Sequence, residues 1–172
     1  MYPPPPPVAP LSPEHVVKKR INVRSKGQRG EREIVDLLQC LIDPIRSKYH
    51  LTPVILQRNA LQAHLGGADL HGLDGFSVEV KFQESAFQAA WWRQCLEQAN
   101  KSRHGDANAN AVPILFFRGS RQPWVVMFRA FVNSPLDRDQ VEMDVTTSLA
   151  DFISWFNESY DEACVEEIQR LK

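Results

Sequence analysis

Cysteine is scarce in this 172-residue chain, which has three: Cys40, Cys95 and Cys164. Their number is odd, they are widely spaced and they include no Cys-x-x-Cys pair. This pattern argues against both a disulfide framework and a structural zinc site, because each needs several cysteines at matched spacings. We therefore expect a protein of the reducing cytoplasm.

Long hydrophobic runs are also missing. No stretch approaches the roughly 20 apolar residues that a membrane-spanning helix requires. The opening residues, Met1–Pro13, contain prolines where a signal peptide would need an apolar helical segment. The sequence thus predicts an intracellular protein without a membrane anchor.

The net charge is small, −1, but it is unevenly distributed. Residues 136–172 contain ten acidic and three basic side chains, so they carry −7 and leave +6 on residues 1–135. The densest basic stretch comprises Lys18, Lys19, Arg20, Arg24, Lys26, Arg29 and Arg32. Such a stretch can neutralise several phosphates of a nucleic acid, although it is also typical of a solvated, disordered arm.

The composition divides the chain into three parts. Residues 1–25 are rich in proline and basic side chains and are expected to form a disordered arm, since proline prevents helix nucleation. Residues 26–134 have enough apolar side chains for one folded core, and residues 135–172 are predicted to form an acidic helical extension. The proline-rich tail and the acidic end are candidate binding sites for protein partners. The alternative for the acidic end is that it folds back over the basic surface.

Hydrophobic periodicity gives the order of elements in the core. A helix is predicted over about 28–47, a short strand over 54–57, a strand over 76–82 and a helix over 86–102. Apolar strands at 112–117 and 124–128 should form a hairpin, and a last helix should begin near residues 146–148. This order predicts an α/β sandwich built around a mixed sheet.

The predicted strand at 76–82 also carries chemistry. Glu79 and Lys81 are two residues apart, so their side chains emerge from the same face of the strand, while Val80 points into the core. Asp69 precedes them, and a turn at 71–75 would bring its carboxylate beside Glu79. Two carboxylates can bind Mg²⁺, and a neighbouring lysine can orient water, although a Glu–Lys pair on a strand is often an ordinary surface ion pair.

Several short motifs occur here in the order seen in a known family. They are Lys26-Gly27, Glu31-Arg32 at a helix start, Arg58 after a short strand, Asp69-Leu70, Glu79-Val80-Lys81 and the final apolar strands. In this order they resemble the archaeal Holliday junction resolvases of the PD-(D/E)xK nuclease superfamily, over about residues 26–129. The sequence departs from the family pattern before Asp69, where Ala68 replaces proline and residues 59–65 are inserted.

The resemblance implies a restriction-endonuclease-like fold, with a mixed central sheet flanked by helices, and a homodimer acting on DNA. It implies that Asp69, Glu79 and Glu31 hold Mg²⁺, or Mn²⁺ in its place, with help from the backbone carbonyl of Val80. By the same resemblance, Lys81 orients or helps to deprotonate the attacking water. Arg58 and the basic stretch would contact DNA, and Gln94 and Gln98 are similar to glutamines that support the site in other branches of the superfamily.

Three functions are therefore open. The first is a metal-dependent endodeoxyribonuclease that cuts four-way or otherwise branched DNA. The second is a restriction-type or end-processing nuclease of the same fold. The third is a non-catalytic DNA-binding or scaffolding module, which is harder to reconcile with the joint presence of Glu31, Asp69, Glu79 and Lys81.

Overall fold

A computed structural model describes residues 23–60, 67–102, 111–133 and 140–171 of the chain. The arm residues 1–22, and with them Lys18, Lys19 and Arg20, lie outside these described ranges. The elements, in chain order, are α1 (Val23–Lys48), β1 (Gln57–Arg58), β2 (Leu70–His71), β3 (Phe76–Phe82), α2 (Ala89–Ser102), β4 (Val112–Arg118), β5 (Val125–Asn133), β6 (Gln140–Ser148) and α3 (Leu149–Arg170).

Helix α1 is longer than predicted. It begins at Val23, five residues before the predicted start, so the second half of the basic stretch is helical. Its inner face is formed by Ile34, Leu38 and Ile42, which are fully buried. Their spacing of four residues is the periodicity from which the helix was predicted.

The main sheet has four strands in the order β3-β4-β5-β6. Strand β3 is parallel to β4, whereas β4–β5 and β5–β6 are antiparallel. The predicted mixed sheet and the predicted β4–β5 hairpin are therefore both confirmed. The short strands β1 and β2 pair only with each other, through Gln57–His71 and Arg58–Leu70.

Helices cover both faces of this sheet. One face packs against α1 and α3 in a core that includes Val78, Phe116 and Phe152. The other face packs against α2, where Trp91, Trp92 and Cys95 cover Leu115. Alternate residues of β3 consequently point into two different layers, and this separates the apolar side chains of the strand from its polar ones.

Gly30 allows α1 to approach the sheet closely. A Cβ atom at this position would lie 2.9 Å from Cβ of Phe82 and 3.3 Å from the Trp124 ring. No real Cβ is accommodated at such a distance without movement of its neighbours. The glycine therefore fixes how near the start of α1, including the adjacent Glu31, lies to the end of β3.

The acidic extension predicted over residues 135–172, with its helix starting near residues 146–148, also contains a strand that was not predicted. Residues 140–148 form β6, which pairs with β5 from Val125–Ser148 to Asn133–Gln140. Apolar and polar residues do alternate along β6, but Val141 and Met143 remain about half exposed at the sheet edge. The acidic side chains of Asp144 and Glu142 obscured this alternation in the sequence. In the structure, both bind Arg129 of the neighbouring strand.

Helix α3 is part of the core rather than an appendage. Ser148 caps its first turn by accepting a hydrogen bond from the backbone N–H of Asp151, close to the predicted start. Arg46 of α1 is buried and binds Glu167 of α3 through two hydrogen bonds of 3.0 and 3.1 Å. This part of the acidic segment is thus neutralised by the end of α1 and does not cover its basic start. Within the described residues, no helix has the length and apolar character needed to cross a membrane.

Candidate active site

Strand β3 presents Glu79 and Lys81 on the face that packs against α2. The Glu79 side chain is fully buried, and the Lys81 side chain is 16% exposed. The Lys81 ammonium donates a hydrogen bond to Oε1 of Glu79. This pair lies in the interior at the sheet, so the alternative of an ordinary solvated surface pair does not apply.

Asp69 lies against the free edge of β3. Its backbone N–H donates to the carbonyl of Val78 at 2.8 Å, and its Oδ2 accepts from the backbone N–H of Val80 at 2.6 Å. The turn that returns the chain includes Gly72, whose φ of 92° suits glycine and whose Cβ position would meet a backbone carbonyl at 2.7 Å. As the spacing predicted, this turn brings Asp69 beside Glu79.

The Val80 carbonyl belongs to the same edge. In a strand, the N–H and C=O of one residue point to the same side, and the Val80 N–H points to Asp69. The carbonyl of Val80 is consequently directed away from β4 and towards the edge where Asp69 lies. This orientation agrees with the ligand role implied for the Val80 carbonyl.

The electrostatics of this edge are unfavourable without a cation. Burial and the nearby charge of Glu79 raise the pKa of Asp69 to about 7, against the opposing effects of the Val80 N–H and the Lys81 charge. Glu31 adds a smaller increase in the same direction. The arrangement therefore concentrates negative charge where water is largely excluded, which is the condition that favours a bound divalent cation.

Helix α2 supports the site through Gln94. Its Nε2 donates to Oε1 of Glu79 at 3.0 Å, so Glu79 is held from both β3 and α2. Gln98 is half-buried one turn further along the same face. The structure thus places Gln94 directly on a predicted metal ligand and Gln98 behind it.

Glu31 reaches the site from α1 but is bound by an arginine. Its Oε2 accepts from Nε of Arg58 at 2.6 Å and lies 2.5 Å from Nη2 of the same guanidinium. Both side chains are mostly buried, with 23% of Arg58 and 19% of Glu31 exposed. The two residues that were predicted as a metal ligand and a DNA contact therefore bind each other.

The described basic residues of α1 fall into two groups. Arg24 and Arg29 are exposed, as a DNA contact requires, and Arg32 is exposed on the same helix. Lys26 is buried: its ammonium binds Glu84 and Ser120 and lies 4.6 Å from the centre of the Phe82 ring. The prediction that Lys26 contacts DNA is corrected accordingly, since this lysine joins α1 to the ends of β3 and β4.

Sequence reasoning missed two residues that organise the site. Asn59 holds the loop of Asp69, because its backbone N–H donates to the Asp69 carbonyl at 2.7 Å and its Nδ2 donates to the Ala68 carbonyl at 2.9 Å. Arg118 of β4 binds Glu33 of α1 and lies over the rings of Phe82 and Trp124, at 4.2 and 4.4 Å from their centres. Asn59 directly follows Arg58 in the sequence, and this position could have identified it as a residue near the site. No sequence pattern relates Arg118 to Glu33.

The donor set suits a hard divalent cation. Among the residues that the structure describes, no three acidic, histidine or cysteine side chains are grouped so as to hold a metal. Two carboxylates and the Val80 carbonyl nevertheless fit Mg²⁺, which usually keeps several waters and uses only one or two protein carboxylates together with substrate phosphate. The buried, mutually repelling carboxylates of Asp69 and Glu79 meet this requirement.

Helices cover both faces of a mixed sheet, and Asp69 lies beside Glu79-Val80-Lys81 on one of its strands. This arrangement defines a restriction-endonuclease-like nuclease of the PD-(D/E)xK superfamily. Residues 22–162 match the model of the family described as "Phage putative PDDEXK endonuclease", and the chain belongs to this family. No curated protein and no solved structure matches the chain.

Proposed function

We propose that this protein is a metal-dependent endodeoxyribonuclease that hydrolyses phosphodiester bonds of four-way or branched DNA. The observation that carries the proposal is the buried carboxylate pair of Asp69 and Glu79 at the free edge of β3, with the Lys81 ammonium on Glu79. Family membership supports the nuclease activity. The metal, the roles of the residues and the branched substrate are our inference.

Asp69 and Glu79 would hold Mg²⁺, or Mn²⁺, together with the Val80 carbonyl. The bound cation supplies positive charge at the phosphate and makes a coordinated water more acidic. Lys81 orients the attacking water towards phosphorus, and its charge opposes the negative charge that develops on the phosphate oxygens. Gln94 keeps the Glu79 carboxylate in place during the reaction, since it donates to Oε1 of that residue.

The DNA strand would approach across the start of α1. Arg24, Arg29 and Arg32 are exposed there, and Glu31, between the last two, reaches towards the site. The sequence continues the positive charge upstream with Lys18, Lys19 and Arg20. Contacts from these side chains to phosphates would position the duplex without reading its sequence, and binding would weaken as salt increases.

The preference for branched DNA and the homodimer rest on the resemblance to junction resolvases. Symmetric cleavage of a four-way junction requires two active sites related by a two-fold axis, and one copy of this chain supplies one set of Asp69, Glu79 and Lys81. We therefore expect two copies to act together on a junction. A protein partner for the proline-rich tail or the acidic end remains a separate proposal.

The decisive experiment compares labelled four-way, flap, linear duplex and single-stranded DNA as substrates with Mg²⁺, Mn²⁺ or EDTA. We expect the wild-type protein to cut the junction in either metal and to be inactive in EDTA. Glu79→Gln should abolish cleavage, since an amide is a poor ligand for Mg²⁺. Glu158→Gln, which removes the same charge from an exposed position on α3, is the control that should retain activity.

The other outcomes separate the alternatives. Equal cleavage of linear and branched DNA would replace junction selectivity with a restriction-type or end-processing activity. Binding of DNA without cleavage in any metal would instead indicate a non-catalytic DNA-binding module. Cleavage that survives Glu79→Gln would contradict the assigned site.

A further inference from the structure

The pair formed by Glu31 and Arg58 is unusual for its position. The guanidinium contacts a single carboxylate oxygen through both Nε and Nη2, at 2.6 and 2.5 Å. Less than a quarter of either side chain is exposed, so the pair is shielded from water and salt more than a surface ion pair. It is therefore a strong contact, and the Nε–Nη2 edge of the guanidinium cannot bind another anion until this contact is broken.

The pair lies beside the carboxylates of β3. Glu31 is near enough for its charge to act on Asp69, yet the described residues contain no group of three carboxylates placed for a metal. Arg58 holds the Oε2 atom of Glu31 through two nitrogens in this arrangement. In the free protein, the site is accordingly a two-carboxylate site.

We propose that Arg58 is a positioning residue with two exclusive partners, Glu31 in the free protein and a DNA phosphate in the complex. When a phosphate takes the guanidinium, the carboxylate of Glu31 is released and completes the metal site formed by Asp69 and Glu79. This inference rests on the proposed nuclease function and adds to it a coupling between DNA binding and metal binding.

The exchange is chemically balanced. A guanidinium binds carboxylate and phosphate with the same pattern of N–H donors, so replacing one anion by the other conserves its charge-assisted hydrogen bonds. Glu31 then exchanges one cation, Arg58, for another, the bound metal. Neither Glu31 nor Arg58 is left buried without a partner of opposite charge in either state, which would otherwise carry a large penalty.

A first experiment measures DNA binding in EDTA, where no metal contributes. Glu31→Gln should tighten binding by roughly three- to tenfold, because Arg58 is freed for a phosphate. In a protein that already carries Arg58→Gln, the same Glu31→Gln change should give no gain. Asp36→Asn is the matched control: it removes an equal charge from an exposed position of the same helix and should give a clearly smaller gain.

A second experiment measures Mn²⁺ binding without DNA by titration calorimetry. Arg58→Gln should tighten Mn²⁺ binding by roughly three- to tenfold, because the released Glu31 can reach the metal. Adding Glu31→Gln to Arg58→Gln should remove this gain, whereas Glu31→Gln in otherwise wild-type protein should change Mn²⁺ binding little. Arg118→Gln controls for the loss of a nearby positive charge and should have a smaller effect.

Several outcomes would overturn the inference. One is an equal gain in DNA affinity from Glu31→Gln and Asp36→Asn, which would indicate a general charge effect. Another is unchanged Mn²⁺ affinity in Arg58→Gln. Should Arg58→Gln fail to fold, Arg58→Lys takes its place, because lysine keeps the charge with fewer donors. Its DNA affinity and its Mn²⁺ affinity should each lie between the wild-type value and the value expected for Arg58→Gln. Wild-type protein that binds neither DNA nor Mn²⁺ would instead contradict the proposed function itself.

Discussion

The backbone N–H of Val80 donates to Oδ2 of Asp69 at 2.6 Å. This bond joins the Asp69 carboxylate, which lies in a loop, to the middle of β3, where Val80 stands between Glu79 and Lys81. It holds the Asp69 side chain against the backbone between Glu79 and Lys81, and the Asp69 backbone N–H donates in turn to the Val78 carbonyl at 2.8 Å. The Asp69 carboxylate is thereby held in place in the free protein, which is the condition that the proposed electrostatic catalysis requires.

Replacing Asp69 by asparagine should stabilise the metal-free protein. The folded-state pKa of Asp69 is raised from 3.8 to about 7, so the unfolded chain releases this proton first as pH rises. The contribution of Asp69 to wild-type stability should consequently fall between about pH 4 and pH 7, and Asp69→Asn should lack this loss. Chemical unfolding in EDTA should show an advantage for the variant that grows with pH to on the order of 4 kcal/mol. A constant difference across this range would contradict the assignment.

Replacing Gln94 by alanine should weaken the metal site without unfolding the protein. Gln94 orients Glu79 through a 3.0 Å hydrogen bond, and the loss of such supporting contacts typically costs about 10–100-fold in metal affinity or activity. Calorimetry with Mn²⁺ and the cleavage assay should both detect the loss. Glu97→Gln, at an exposed position of the same helix, is the control expected to match the wild type.

Replacing Gly30 by alanine should destabilise the fold. The added Cβ would lie 2.9 Å from Phe82, so α1 must move away from β3 at a cost of about 1–3 kcal/mol. Gly27→Ala is a matched control in the same helix, where the nearest atom would be 4.0 Å away. That variant should gain about 0.4–1 kcal/mol, because alanine restricts the unfolded chain more than glycine. Equal effects in urea unfolding would argue against close packing at Gly30.

Replacing Arg46 by methionine should loosen α3 from α1. The guanidinium is buried, binds Glu167 twice and donates from Nε to the Thr52 carbonyl at 2.7 Å. We expect a loss of about 1–3 kcal/mol in the free energy of unfolding, since hydrogen bonds to a charged group disappear. Lys48→Met breaks the more exposed pair with Asp161 and should have a much smaller effect. A large effect of Lys48→Met would show that surface charge, and not the buried arginine, holds α3.

The sequence predicted most of the core because its signals are local. The alternation of Phe76, Val78 and Val80 with Ser77 and Glu79 follows from the pleat of a strand, and β3 has the predicted bounds. The helical spacing of Ile34, Leu38 and Ile42 likewise predicted α1. Sequence signals were weaker for β6, where acidic side chains at an exposed edge resembled a solvated segment.

The sequence by itself determined the order of α1, β3, α2, β4 and β5, the shared face of Glu79 and Lys81, and the return of Asp69 to the strand that carries them. The tertiary structure alone decided which charges meet. It paired Glu31 with Arg58, Arg118 with Glu33 and Lys26 with Glu84, contacts between residues 27 to 85 positions apart. Spacing along the chain specifies the neighbours within one helix or strand, whereas contacts of this kind depend on how separate elements pack, and packing is set by the whole core.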